Sequence, residues 1–311
     1  MNGKTRDLKW FAKQPVKLMP GHKTCQGCGI PIIVRFVMAA SEKPLVTAQG
    51  TGCISVTTPT WPYTSWKVPT IHNAFACLAS TISGAETAYR ALKKKGIVKK
   101  ELNFVGFGGD GGSYDIGLQA LSGALERKHN LVYVCYDNQA YSNTGNQRSS
   151  ATQKGTATTT TPEGLVHHGK ELFRKDLTEI VAAHDIPYVA QSAIYPYGDL
   201  VNKAAKAFEA KGPAFINALS PCALFWGIDT GLAYHISKLA VETCYWPIYE
   251  VENGKYKLSF KPKEKLPVEE FLKPQKRFKH LLKPENTYIV KELQEHIDRK
   301  WDKLLKKCSE K

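Results

Sequence analysis

Apolar and polar positions along this chain follow two alternating periods. Residues 31–41, "PIIVRFVMAAS", carry apolar side chains at helical spacing, and "PLVTAQG" (44–50) reads as a short strand ending at glycine. The stretch 72–96, "HNAFACLASTISGAETAYRALKKKG", is again helical and closes on three lysines and Gly96, a good stop signal. "LNFVGF" (102–107) has strand length, "YDIGLQALSGALERK" (114–128) is helical, and "NLVYVCYD" (130–137) is strand again. A Ser/Thr/Gly-rich loop spans about 139–164. Two more pairs follow, a helix at 176–184 with a strand at 186–190, and a helix at 198–211 with a strand at 214–219. Such alternation predicts an α/β protein, a mostly parallel sheet with helices on both faces. Residues 248–259 predict a hairpin around Asn253-Gly254, and the Lys/Glu-rich remainder predicts a helical C-terminal arm packing on a neighbour. The expected division is 1–247 for the α/β domain and 248–311 for hairpin and arm. Neither an internal repeat nor a low-complexity linker interrupts this order.

Composition changes that picture little. The 311 residues are 42% apolar and 23% charged, ordinary for a globular protein. The absence of a run of eighteen apolar residues and the polar N-terminus point to a cytoplasmic protein without membrane association. The formal charge of +15 fits a solvated basic surface or attraction to an acidic partner or anionic cofactor. Nucleic acid is not expected, because no helix-turn-helix, RNP or finger signature is present.

Two constellations carry candidate chemistry. "GFGGDGGSYDIG" (106–117) follows a strand and opens a helix, where backbone N–H groups and the helix start favour phosphate. It is not a Walker A loop, since no Gly-Lys-Ser/Thr follows. An acid inside such a loop makes sense only with a cation between it and the phosphate. The next strand ends in Asp137-Asn138, which would bring an amide to the same sheet edge as Asp110. Mg²⁺ takes about six hard oxygens. Asp110, Asn138, a loop carbonyl and two diphosphate oxygens nearly supply them. The second constellation is cysteine. Of eight, Cys77, Cys135 and Cys244 lie in apolar stretches and read as small buried hydrophobes, while Cys308 sits in a charged tail. Cys25 and Cys28 form a C-x-x-C in "GHKTCQGCG", with Cys53 in "GTGC" and Cys222 in "SPC". In a reducing compartment, residue type alone leaves zinc and an iron–sulfur cluster both open.

The run from Gly109 through "GDGGSYDIGLQALSGALERKHNLVYVCYDNQAYSNTGNQRSSAT", with "GHKTCQGCG", "GTGC", "YTSWKVPTIHNAFA" and "SPC", resembles the β subunit of the 2-oxoacid:ferredoxin oxidoreductases, pyruvate type. The likeness covers residues 20 to about 240 and returns in the tail "LPVEEFLKPQKRFKHL". It implies a thiamine diphosphate-binding fold and oxidative decarboxylation of a 2-oxoacid, with electrons leaving singly for ferredoxin and coenzyme A taking the acyl group. By motif position Asp110, Asn138 and the Ala140 carbonyl would hold Mg²⁺. Gly109 and Gly111 would approach the diphosphate, Thr51 and Gly52 would line the cofactor, and Asn143 would stand near the reacting carbon. Cys25, Cys28, Cys53 and Cys222 would bind one 4Fe-4S cluster. Cys53 and Cys222 follow predicted strands at the same edge as Asp110 and Asn138, in keeping with that assignment. His72 and Trp66 lie in a matching segment, where packing explains them equally well. The family's catalytic glutamate has no counterpart here. Other subunits are therefore expected to supply it, together with further clusters. Oxalate, 2-oxoisovalerate and 2-oxoglutarate are alternative substrates; the long tail argues against the last. A zinc-stabilised basic binding protein and a thiamine carboligase without electron transfer are the rival classes. The second leaves the four cysteines without a role.

Overall fold

Eight strands form one twisted sheet in the order β10-β9-β7-β8-β6-β5-β1-β4, in this computed structural model describing residues 6–60 and 62–310. From the N-terminus the elements are α1 (Leu8–Ala12), α2 (Ile30–Ala39), β1 (Leu45–Gly50), α3 (Cys53–Thr57), β2 (Pro59–Thr60), β3 (Tyr63–Thr64), β4 (Thr70–Asn73), α4 (Leu78–Lys94), β5 (Asn103–Gly109), α5 (Leu118–Glu126) and β6 (Val132–Asp137). Then come α6 (Leu177–Ala182), β7 (Tyr188–Ala193), α7 (Tyr197–Glu209), β8 (Ala214–Leu219), α8 (Ala223–Trp226), α9 (Ala233–Glu242), β9 (Tyr249–Glu252), β10 (Lys255–Leu258), α10 (Val268–Leu272) and α11 (Thr287–Ser309). Strands β4, β1, β5, β6, β8 and β7 run parallel; β9 and β10 add an antiparallel hairpin at one edge.

The predicted α/β architecture holds, and the reason is in the strands. Every residue of β6, β7 and β8 is buried, as expected where helices cover both faces of a parallel sheet. One core packs α2 and α7 against the sheet through Ile33, Val37, Leu200 and Ala204. The other packs α4, α5, α6, α9 and α11 through residues such as Ile82, Leu121, Val181, Ile236 and Leu293.

Three details differ from the pattern reading. The stretch 72–96 is not one helix. Its start is the end of β4, paired to β1, followed by a 3-10 turn at Phe75–Cys77 before α4 begins. The apolar period starts only at Phe75, and Asn73 turns the chain by accepting the Ala74 N–H at its own side chain (2.8 Å). Residues Gly111–Ile116 wind as a π-helix ahead of α5, with the Gly117 N–H donating five residues back to Gly112 O (2.8 Å). Finally, residues 248–311 pack in part on this chain itself. β9 pairs with β7, and Ile289, Val290, Leu293, Ile297, Trp301 and Leu304 of α11 are buried in this chain's own core.

After β1 the chain crosses to β4 on one side and returns to β5 on the other, which opens a crevice at the carboxyl ends of β1 and β5. This is the switch point at which open α/β sheets bind ligands.

Candidate active site

Four neighbouring strands deliver four candidate residues to that edge. In sheet order β8, β6, β5 and β1 are followed by Cys222, Asn138, Asp110 and Cys53. The cleft over β1 and β5 is lined by Thr51, Gly52, Gly109, Asp110, Gly111, Asn138, Ala140 and Asn143, with Phe75, Tyr136 and Tyr141 closing it. All eight candidates for the cofactor and the reacting carbon therefore share one cleft.

Asp110 is buried. Its carboxylate accepts from Ser149 Oγ (2.5 Å) and from the Asn138 backbone N–H (3.4 Å). Burial, and then the charge of Asp137, push its pKa well above the usual carboxylate range. Asp137 has its own cation: Arg174 Nη2 donates to it at 2.6 Å, as does the Tyr114 hydroxyl at 2.6 Å. Asp110 has no cation among the described residues. One atom of the Asn138 side-chain amide lies 2.9 Å from Asp110 Oδ1, 2.8 Å from Ala140 O and 3.0 Å from Ser142 Oγ. An NH₂ there donates to these oxygens, whereas the amide oxygen there would face a cation. With metal–oxygen bonds of about 2.0–2.1 Å, the edges of an octahedron are about 2.9 Å. The distances from this amide atom to Asp110 and to Ala140 both match such an edge.

Gly111 is required by close approach. A Cβ there would fall inside the Tyr141 ring, whose hydroxyl donates to Gly111 O (3.0 Å). Without side chains at 109, 111 and 112 the backbone at the start of the π-helix stays open to the cleft.

Cys25, Cys28, Cys53 and Cys222 line a second cavity with Thr24, Ser220 and Leu224. The C-x-x-C loop is tied to the β8 exit through Gly29 N–H to Pro221 O (3.2 Å). It turns at Gly27, whose positive φ and contact with the Thr230 backbone leave no room for a Cβ. Cys53 starts α3, and Cys222 caps α8 by accepting the Phe225 N–H (3.4 Å). Burial, with lesser contributions from neighbouring thiols, pushes Cys28 and Cys53 up to about 12; Cys222 is also raised, mainly by burial. Four thiols facing one apolar cavity need a cationic centre to become thiolates together. Among the described residues, no group of three or more His, Cys, Asp or Glu is spaced for a single metal ion.

The two cavities share Cys53, Asn138, Ser142 and Asn143. Asn143 is exposed at their junction. His72 reaches the cleft edge, with Nε2 3.2 Å from Thr51 Oγ1. Trp66 packs instead: it is buried, donates to Thr58 Oγ1 (2.8 Å) and lies against Phe107. Pattern reasoning missed Ser142, Ser149, Tyr136 and Tyr141. Of these only Tyr141 and Ser142 had a signal, being in "AYSNTG" beside Asn143.

Comparison with known proteins shows the family. Residues 50–218, more than half of the chain, match the thiamine pyrophosphate enzyme family's C-terminal TPP binding domain. Pyruvate synthase subunit PorB of Thermotoga maritima is 50% identical, with 95% of this chain and 93% of that one covered. PorB of Methanocaldococcus jannaschii is 46% identical (90% and 94%), and ketoisovalerate oxidoreductase subunit VorB of Pyrococcus furiosus is 42% identical (92% and 91%). The fold is that of a 2-oxoglutarate:ferredoxin oxidoreductase from Magnetococcus marinus, with a TM-score of 0.54 and 23% identity over 68% of this chain and 72% of that one. The chain belongs to the thiamine pyrophosphate enzymes and, within them, to the PorB and VorB family of 2-oxoacid oxidoreductase subunits. Neither a zinc-clipped binding protein nor a carboligase without electron transfer agrees with that membership. No helix among the described residues is long and apolar enough to cross a membrane.

Proposed function

We propose that this chain is the thiamine diphosphate-binding β subunit of a cytoplasmic pyruvate:ferredoxin oxidoreductase. The observation that carries the proposal is the shared wall between the Asp110–Asn138 cleft and the four-cysteine cavity. When bound, thiamine diphosphate supplies the electron sink for loss of CO₂ from the 2-oxoacid, and a 4Fe-4S cluster takes the electrons singly.

Each residue has a definite task. Asp110, Asn138 and the Ala140 carbonyl hold Mg²⁺ and through it the diphosphate. Gly109 and Gly111 leave their backbone open to the phosphate oxygens, and Thr51 with Gly52 forms the facing wall. The Asn143 amide, at the junction of the cavities, donates to the substrate carboxylate or to oxygen charge developing at the reacting carbon. Cys25, Cys28, Cys53 and Cys222 hold the cluster. A partner subunit provides the glutamate that activates the cofactor, the grip on the substrate carboxylate and further clusters leading to ferredoxin. Coenzyme A takes the acyl group. The named relatives favour pyruvate over oxalate, with 2-oxoisovalerate as second choice.

The test is anaerobic purification with the native partner subunits, quantitation of iron, sulfide, magnesium and thiamine, and an acceptor-reduction assay with pyruvate, 2-oxoisovalerate or oxalate. Coenzyme A-dependent reduction with pyruvate supports the reading. Preference for another acid keeps the sites and changes the substrate. Zinc without iron and thiamine overturns it.

A further inference from the structure

Arg277 lies in the 3-10 segment Lys276–Leu282 and is only 4% exposed. Its guanidinium carbon sits 4.0 Å from the Trp226 ring centre, 4.6 Å from that of Phe278 and 5.3 Å from that of Phe225. Nε donates to Gln275 Oε1 (2.9 Å), while Nη1 and Nη2 have no hydrogen-bond partner among the described residues. No carboxylate among those residues lies within ion-pair distance of it. The aromatic faces favour a cation, but they do not replace the hydration lost at two donor nitrogens. Burial lowers its pKa to about 9, which leaves it charged at neutral pH.

Two of the three rings that enclose this charge belong to the Cys222 loop. Phe225 and Trp226 lie on α8, which Cys222 caps, and the Phe225 N–H donates to Cys222 Sγ (3.4 Å). On its far side the Trp226 indole donates to Asn138 O (2.9 Å), at the edge of the cofactor cleft. An iron–sulfur cluster with four thiolates is net negative in either oxidation state, and reduction adds a further negative charge. A fixed cation in a low-dielectric wall stabilises the reduced form more than the oxidised one.

From this arrangement we infer that Arg277 is the buried counter-charge that raises the reduction potential of the cluster held by Cys25, Cys28, Cys53 and Cys222. It acts through charge at the Cys222 loop, without touching substrate. The inference rests on the cluster reading above.

The experiment is a redox titration followed by electron paramagnetic resonance on the anaerobic complex of all subunits. The signal of this cluster is identified as the one lost in Cys28→Ser. Arg277→Met, which removes the charge but fills the aromatic cage, is expected to lower the reduced-to-oxidised ratio at fixed potential about tenfold, a 59 mV shift for one electron. Arg277→Lys is expected to restore most of it. An unchanged potential in a fully loaded Arg277→Met complex overturns the inference alone. A folded Arg277→Met complex that loses this cluster's iron, where Arg277→Lys keeps it, supports the charge role. Iron loss in both overturns it in favour of a structural role. Wild-type complex without this iron signal overturns the cluster reading first, and this inference with it.

Discussion

At Asp110 two demands oppose each other. The carboxylate must be ionised to hold a cation, yet burial and the neighbouring Asp137 favour its protonated form. In the metal-free chain its folded pKa is raised above the unfolded value of about 3.9. Its contribution to stability is therefore full below that pH and is lost as pH rises toward the folded value. Asp110→Asn is expected to stabilise the metal-free chain by about 1–3 kcal/mol near neutral pH, with the difference shrinking toward pH 4. The same change should abolish stabilisation by Mg²⁺ with thiamine diphosphate. Urea midpoints across that pH range, with and without both ligands, check this; a pH-independent difference between variant and wild type contradicts it. The residues legible in the sequence were those whose type is unusual for its place: an acid among glycines, an amide at a strand end, paired cysteines. Ser149, Trp226 and Arg277 were not legible. They are common residue types, and their contacts here join segments far apart in the chain, as in Ser149 to Asp110 and Trp226 to Asn138.

Among the elements, α11 is helical as its composition predicts, and one of its faces is buried in this chain. Its polar face is what the Lys/Glu-rich composition advertised, while Trp301 and its apolar neighbours recur sparsely enough to suggest an arm. In the fold they complete the core over β10 and the 3-10 segment that carries Arg277. Trp301→Ala is expected to cost about 3–5 kcal/mol of stability, measured by denaturant unfolding, with thiamine diphosphate affinity unchanged. Unchanged stability with loss of subunit assembly would instead favour the arm. Long periodic segments such as α4 and α7 were readable because their faces repeat. β4, α8 and the π-helix were not. Each is short: β4 is set by pairing with β1, α8 starts at the Cys222 cap, and the π-helix closes on the Gly117 N–H to Gly112 O bond.

Across the whole molecule, 43 Lys and Arg against 28 Asp and Glu leave a net charge of +15. Edge strand β10 places exposed Lys255 and Lys257 at the sheet margin, which discourages pairing with other chains. A positive field also accelerates encounter with an acidic electron acceptor. The second-order rate of acceptor reduction by the assembled enzyme should fall several-fold when ionic strength rises from about 0.05 to 0.3 M, with the substrate KM unchanged; stopped-flow measurement checks it. A salt-independent rate would mean that the charge serves other contacts. The common wall of the two cavities has a wider implication. Cys53, Asn138, Ser142 and Asn143 are tenants of both compartments, so neither can be remodelled in isolation. On the proposed assignment, a substitution chosen to admit a bulkier substrate is expected also to retune the electron relay, and one chosen to protect the relay to reshape the substrate's room. Selection on this scaffold therefore acts on the pair as one unit, and its effects there will not add.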